Sequence, residues 1–290
     1  MREQLESIMQ EVGDTSGFVS YRPVSGGSIA RSFQVTTRNE RYFVKCVKGL
    51  PSDLFEKEAD GLKRLGKAGA FSVPKVYGHA RESAARPAWL VLEWIEPGVE
   101  TDGGERFGVT LAQQHRITAE RYGLDTDNYI GSMVQKNGWF EDWVQFYRER
   151  RLQVQADWAQ KNGRMTGLRQ KRMERLLDHL HRWLPQHPPS SLLHGDLWSG
   201  NRLVAADGTP YIIDPAVCYG DREMELAFTE LFGGFPARFY AAYQEAWPLS
   251  PEYEERKPLY QLYYLLVHLN LFGESYGRSV DEILKKYVGE

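Results

Sequence analysis

Asp196, Asn201 and Asp214 are spaced like the working residues of a phosphoryl-transfer site. The first and second lie in Leu193-His194-Gly195-Asp196-Leu197-Trp198-Ser199-Gly200-Asn201. The third closes the short apolar run Tyr211-Ile212-Ile213-Asp214-Pro215. In this order an Asp can orient and deprotonate a hydroxyl, while an Asn and a second Asp can hold Mg2+ against nucleotide phosphates. Oxygen donors of this kind suit Mg2+. The plain competing reading is a turn rich in Asp, Gly and Asn, because those residues dominate turns in any case. His194, two residues before the proposed base, is expected to fix the loop by donating to backbone groups rather than to move protons.

Such a triad needs a phosphate clamp, and the elements upstream offer one. Apolar residues at helical spacing (Leu5, Ile8, Met9, Val12) predict a first helix that stops at Gly13. Three strand-like runs follow, Phe18 to Val24, Ile29 to Thr37 and Arg41 to Val47, and their punctuation predicts an antiparallel meander. Between the first two, Ser25-Gly26-Gly27-Ser28 gives a flexible turn whose amides could approach phosphates, but it departs from the protein-kinase GxGxxG pattern and a Gly-Gly hairpin turn is the more common explanation. Lys45 ends the apolar run Tyr42-Phe43-Val44. If it points inward it needs a partner, since an unpaired buried ammonium is costly. The helix predicted over Ser52 to Leu65 offers Glu56 and Glu58, and Glu58 is preferred. Extended segments at 73–77 and 88–94 complete this half, with Pro74 confining the first to an edge or a strand start. Glu93, Trp94 and Ile95 stand where backbone groups would receive an adenine.

Pro97 and Gly98 mark the expected boundary between an N-terminal nucleotide lobe (1–96) and a mainly helical C-terminal lobe (97–290). Helical patterns are predicted over 107–122, 140–158, 169–183, 224–231 and 259–272. The expected class is α+β, a bilobal protein-kinase-like order. The chain has 290 residues, 42% hydrophobic and 13% aromatic, with a formal charge of -3. That balance gives no argument for nucleic acid or an anionic membrane. No apolar run reaches the roughly 18 residues of a membrane helix, and the N-terminus lacks a signal-peptide core. A cytoplasmic protein is expected, as a monomer or weak homodimer. Cys46 and Cys218 are too few for a disulfide framework or zinc cluster. Cys46, beside the lysine, is either a reactive thiol or a buried filler.

His194-Gly195-Asp196-Leu197-Trp198-Ser199-Gly200-Asn201 resembles the corresponding segment of the fructosamine kinase (ketosamine-3-kinase) family, a branch related to aminoglycoside and choline kinases. Asp214-Pro215-Ala216-Val217 with Tyr219-Gly220-Asp221-Arg222-Glu223 and Glu225-Leu226-Ala227 is similarly close. So are Asn128-Tyr129-Ile130-Gly131-Ser132, Gln135, Asn137-Gly138-Trp139, Asp142-Trp143, Arg150-Arg151-Leu152, and His268 to Gly273 near the C-terminus. The resemblance runs along essentially the whole chain. It implies ATP- and Mg2+-dependent phosphorylation of the 3-hydroxyl of ketosamines, whose unstable 3-phosphates release the amine and so reverse glycation. Many relatives carry a cysteine where this chain has Ser28, which puts thiol-based regulation of that loop in doubt.

On this resemblance Asp196 is the base, Asn201 and Asp214 hold Mg2+, and Lys45 braced by Glu58 clamps the phosphates. A polar, amine-bearing substrate calls for aromatic and polar side chains, which makes Trp198, Trp139, Trp143, Asn128, Gln135 and Asn137 candidates. Asp221 and Glu223 are either supports behind the site or a polar wall for the amine. The runner-up is another small-molecule kinase acting on an aminoglycoside, choline or homoserine. A nucleotide-binding pseudokinase would have lost the lysine, the base or a metal ligand, and this chain has lost none. A protein kinase is disfavoured because no Ala-Pro-Glu segment follows Asp214.

Overall fold

Strict alternation along residues 41–47 organises the first part of the chain. The computed structural model describes residues 1–24, 30–84 and 86–289, so the turn expected to hold Gly26, Gly27 and Ser28 lies outside the described residues. Five antiparallel strands, β1 (Phe18–Val24), β2 (Arg31–Thr37), β3 (Arg41–Val47), β4 (Val76–Ala80) and β5 (Ala88–Glu93), form one sheet in the order β1-β2-β3-β5-β4. Successive side chains of a strand face opposite sides. Tyr42, Val44 and Cys46 of β3 pack with Trp89 and Val91 of β5 against helix α1 (Arg2–Glu11), through Leu5, Ile8 and Met9. Leu90 and Leu92 of β5 pack with Phe43 and Val47 of β3 on the other face, against Phe55, Ala59 and Leu62 of helix α2 (Leu54–Ala68). Lys45 has the parity of Phe43 and Val47, so it belongs to the α2 face.

The chain divides into two units, Met1–Thr101 with Gly200–Pro215, and Asp102–Ser199 with Ala216–Glu290. The division after Thr101 lies beyond the boundary expected after Glu96, and the hairpin 202–212 belongs with the first unit. That hairpin is held by backbone: Gly98 N–H donates to Val204 O at 2.8 Å and Ala206 N–H to Glu96 O at 3.0 Å. A Cβ on Gly98 would stand 2.1 Å from Ala205 O, so only glycine fits there. Arg202 pairs with Glu100 at 2.8 Å.

In the second unit a four-stranded sheet has the order 191–193, 218–220, 122–124, 138–140, with a separate hairpin pairing 128–130 to 133–135. Its core is the helix Tyr253–Phe272, whose Leu259, Tyr260, Leu262, Tyr263, Tyr264, Leu266 and Leu269 are buried. The helix expected over 107–122 ends at His115, and Tyr122 stands in a strand opposite Phe140. The helical run that begins at Trp143 widens to a π-helix over Tyr147–Leu152. Helices at Ala237–Ala246 and Gly277–Val288 were not expected. Trp143 is fully buried, with Nε1 donating to Tyr260 Oη at 3.0 Å, and is core.

Cys46 is 4% exposed, and burial pushes its thiol up to about 11, which keeps it protonated near neutral pH. Asp14, just beyond α1, accepts from Ser16 Oγ (2.6 Å), Thr37 Oγ1 (2.7 Å) and Tyr42 Oη (2.9 Å). Burial alone would raise its pKa; the donors outweigh it and hold the carboxyl down at about 2. A depressed folded-state value gives stability that is present above the unfolded pKa of 3.8 and lost as pH falls through about 2. The advantage of the wild type over Asp14→Ala in urea unfolding is therefore expected near neutral pH and should fade as pH falls from about 4 to about 2. An advantage that does not vary with pH would assign Asp14 to packing alone.

Candidate active site

Lys45 is 6% exposed, and it is shared. Its Nζ donates to Glu58 Oε1 at 2.8 Å and to Asp214 Oδ1. Glu58 rather than Glu56 takes this place; Glu56 pairs at the surface with Arg81 at 2.7 Å. Burial alone would lower the Lys45 pKa, but the two carboxylates outweigh it and hold the ammonium charged. Burial pushes Glu58 up to about 7, against the pull of Lys45 and helped by the like charge of Asp214.

Asp214 has φ +57°, a positive value found at no other non-glycine position among the described residues. A side chain held in that sparsely populated region is strained, and such strain collects at functional positions. Asn201, 5% exposed, stands beside it because Ile213 N–H donates to Asn201 O at 3.0 Å at the open end of the hairpin. Asn201 and Asp214 offer an amide and a carboxylate oxygen, both hard donors. Mg2+ is typically held by one or two such protein groups, with water and phosphate completing its shell. The pair fits that ion. Among the described residues no group of three or more His, Cys, Asp or Glu is arranged to hold a metal by itself. Glu93 N–H is spent on Lys75 O at 2.8 Å, its carboxylate accepts from Lys75 N–H, and Trp94 Nε1 donates to Glu96; Trp94 and Ile95 are half-buried.

In the second unit the loop carrying Asp196 is fixed from beneath. Gly195 has φ +85°, and a Cβ there would stand 2.0 Å from Ala216 O, so the turn requires glycine. Glu225, fully buried, accepts from Gly195 N–H at 2.7 Å and from His194 N–H at 3.2 Å. His115 Nε2 reaches the same carboxylate at 2.9 Å, and its Nδ1 reaches Tyr243 Oη at 2.8 Å. Tyr264 Oη donates to Gly195 O at 3.1 Å. His194 is also fully buried, and its Nδ1 accepts from Asp196 N–H at 3.3 Å. At this contact the imidazole accepts where a donor was expected, but it fixes the loop all the same. Asp196 itself is half-buried, and Trp198, two residues on, is 40% exposed.

Asn128, Gln135 and Asn137 are 6%, 2% and 4% exposed, and their amides bond to one another, to backbone carbonyls, to Arg151 and to Tyr263. A direct hold on substrate, expected from sequence, does not suit groups engaged in this way. Asp221 and Glu223 are buried too. Asp221 caps the helix Arg222–Leu231 through Glu223 N–H at 3.0 Å and accepts from Tyr260 Oη at 2.5 Å, while Glu223 pairs with Arg256 at 2.7 Å. Of the two roles left open for them, support is the one these partners allow. Trp139 is half-buried, against Tyr219 with Arg121 near its ring. Glu225, His115, Arg151 and Tyr263 were given no role in the site from sequence.

A family model described as fructosamine kinase matches residues 1–290. A Lactiplantibacillus plantarum protein named a probable ketoamine kinase is 43% identical over 267 residues, covering 92% of this chain and 93% of its own. A crystal structure from Thermobifida fusca with a provisional fructosamine-3-kinase name is 32% identical, with a TM-score of 0.84 over 96% of this chain and 97% of that one. A choline kinase from Streptococcus pneumoniae, at 15% identity, TM-score 0.63 and 98% and 100% coverage, is similar in fold alone. The fold is α+β and protein-kinase-like.

Proposed function

The chain belongs to the fructosamine kinase family, and from that premise we propose that it transfers the terminal phosphoryl group of ATP to the 3-hydroxyl of a ketosamine. The observation that carries this reading is the buried Lys45 held between Glu58 and Asp214. A lysine charged and fixed in this way is pre-set to take the α- and β-phosphates of a nucleotide. Asp196 orients the sugar 3-hydroxyl and accepts its proton as the new O–P bond forms and the bond to ADP breaks. Asn201 and Asp214 would hold Mg2+, which would offset the negative charge of the phosphates. The protein supplies little covalent chemistry, so alignment and charge stabilisation carry the rate. The ketosamine 3-phosphate then falls apart, and the amine is released.

On the acceptor side, Trp198 and Trp139 are assigned to the substrate. Asn128, Gln135, Asn137, Asp221 and Glu223 are assigned to support, because protein partners already hold their polar atoms. The smaller, faster-forming adducts, ribulosamine and erythrulosamine, are proposed ahead of fructosamine.

ATP consumption with Mg2+ on ribuloselysine, fructoselysine, kanamycin and choline tests the reading. A ketosamine 3-phosphate that decays with release of lysine is the expected product. Turnover of kanamycin or choline alone would overturn the acceptor assignment while keeping the phosphotransfer site. In the same assay Trp198→Ala is expected to raise KM for the ketosamine about tenfold, the scale of one lost aromatic contact, with KM for ATP little changed. Equal rises in both would trace the effect to a general folding defect.

A further inference from the structure

Arg151 is fully buried in the π-helical turn, and its guanidinium can only donate. That one-way group sets the sense of a whole network. Arg151 Nη2 donates to Asn137 Oδ1 at 2.9 Å, which turns Asn137 Nδ2 toward Asn128 Oδ1 (3.1 Å) and Thr126 O (2.9 Å). Asn128 Nδ2 therefore faces, and donates to, Val217 O at 2.9 Å. From the other side Tyr263 Oη donates to Gln135 Oε1 at 2.8 Å. Gln135 Nε2 in turn donates to Asn128 Oδ1 and to Ala216 O, both at 2.9 Å. Two directed chains of hydrogen bonds thus converge on two adjacent carbonyls.

Those carbonyls follow Asp214 and Pro215 directly in the chain. The other backbone group of Ala216, its N–H, donates to His194 O at 2.8 Å, and Gly195 lies too close to Ala216 O for any side chain. Ala216 is therefore where the segment that follows Asp214 lies against the loop bearing Asp196. Resting on the phosphoryl-transfer reading above, we infer that Gln135 and Asn128, oriented by Tyr263 and Arg151, are positioning residues that set this register without touching substrate. The three amides of this network all have protein partners, and one reversed amide breaks the chain. Phosphoryl transfer depends on alignment, so a disturbance here acts on turnover and not on binding.

Gln135→Glu tests this. The substitution keeps the shape of the side chain but places an oxygen where Ala216 O needs a donor. Tyr263→Phe is the milder partner, deleting only the hydroxyl that orients Gln135. With thermal unfolding measured alongside, Gln135→Glu is expected to lower kcat about 100-fold and Tyr263→Phe about tenfold, with KM for ketosamine and for ATP within about threefold of wild type, as displacement of reacting groups without loss of contacts would do. A tenfold or larger rise in KM for the ketosamine at unchanged kcat would overturn the inference and return Gln135 to the substrate. So would a kcat within twofold of wild type in both variants. If Gln135→Glu fails to fold, Tyr263→Phe decides alone. A wild type that turns over no ketosamine overturns the functional reading instead; the same split is then read on whichever acceptor is used, or on hydrolysis of ATP by water.

Discussion

Asp196→Ala is expected to lower kcat for the ketosamine by about three orders of magnitude, within the range measured for removing a positioned acid–base group, while ATP binds almost as before. The split follows from where Asp196 stands. Its loop is held by the Gly195 turn, by Glu225 beneath the His194 and Gly195 amides, and by the His194 ring on its own N–H. These supports are made by other groups, so they remain when the Asp196 carboxylate is deleted. The phosphate clamp, Lys45 with Glu58, lies on β3 and α2 and owes nothing to residue 196. Titrating ATP into the variant by thermal shift and measuring turnover separately gives both numbers. Asp196→Asn should lose nearly as much, because an amide can orient a hydroxyl but cannot take its proton. Near-normal turnover in Asp196→Ala would remove the base assignment; loss of ATP binding as well would point to a collapsed loop.

The N-terminal half was legible because its signals are local. The β3 period places Lys45 on one face, and the helix on that face carries Glu58, so the pair could be reasoned from a few neighbouring residues. The second unit was not legible in the same way. Strands of three residues, such as Tyr122–Leu124 and Gly138–Phe140, are too short to show a period. The expected helix over 107–122 ran on because nothing in Ile117 to Arg121 stops one. Tertiary pairing overrides it: Leu192 N–H donates to Ile117 O, Thr118 bridges to Ser191, and Ala119 N–H donates to Ser190 O. The helix Gly277–Val288 is a different failure, since Val280, Leu284 and Val288 recur at helical spacing and bury one face.

Around the site, Asn128, Gln135 and Asn137 were expected to touch substrate, whereas their amides bond within the protein. An amide beside a catalytic motif reads as a substrate ligand until its partners are known, and here those partners lie up to 128 residues away, as Tyr263 does from Gln135. Glu225 is harder still. Its meaning comes from His115, 110 residues earlier, and from two backbone amides of the base loop. No spacing rule reaches that far.

Lys45→Met should lower kcat/KM for ATP by about two to three orders of magnitude, since it removes the one fixed cation of the phosphate clamp. It should also cost stability, by about 3 kcal/mol, because breaking a buried ion pair leaves uncompensated charge. Glu58, already raised to about 7 by burial, then loses the cation that pulled it down, and with a side chain 14% exposed it must either take up a proton or stay charged beside Asp214, at a cost in either case. Glu58→Gln alone is milder, about tenfold in kcat/KM, because the amide oxygen still accepts from Lys45 while the charge that steadies the ammonium is gone. The informative experiment is the double variant. If Glu58 acts on the phosphates only by bracing Lys45, Lys45→Met with Glu58→Gln should be no less active than Lys45→Met alone. It should also be more stable, because a neutral amide at position 58 needs neither a proton nor a counter-charge. Additive losses in activity would mean that Glu58 contributes to turnover by a route of its own. A double variant no more stable than the single would place the cost of Lys45→Met in packing rather than in stranded charge.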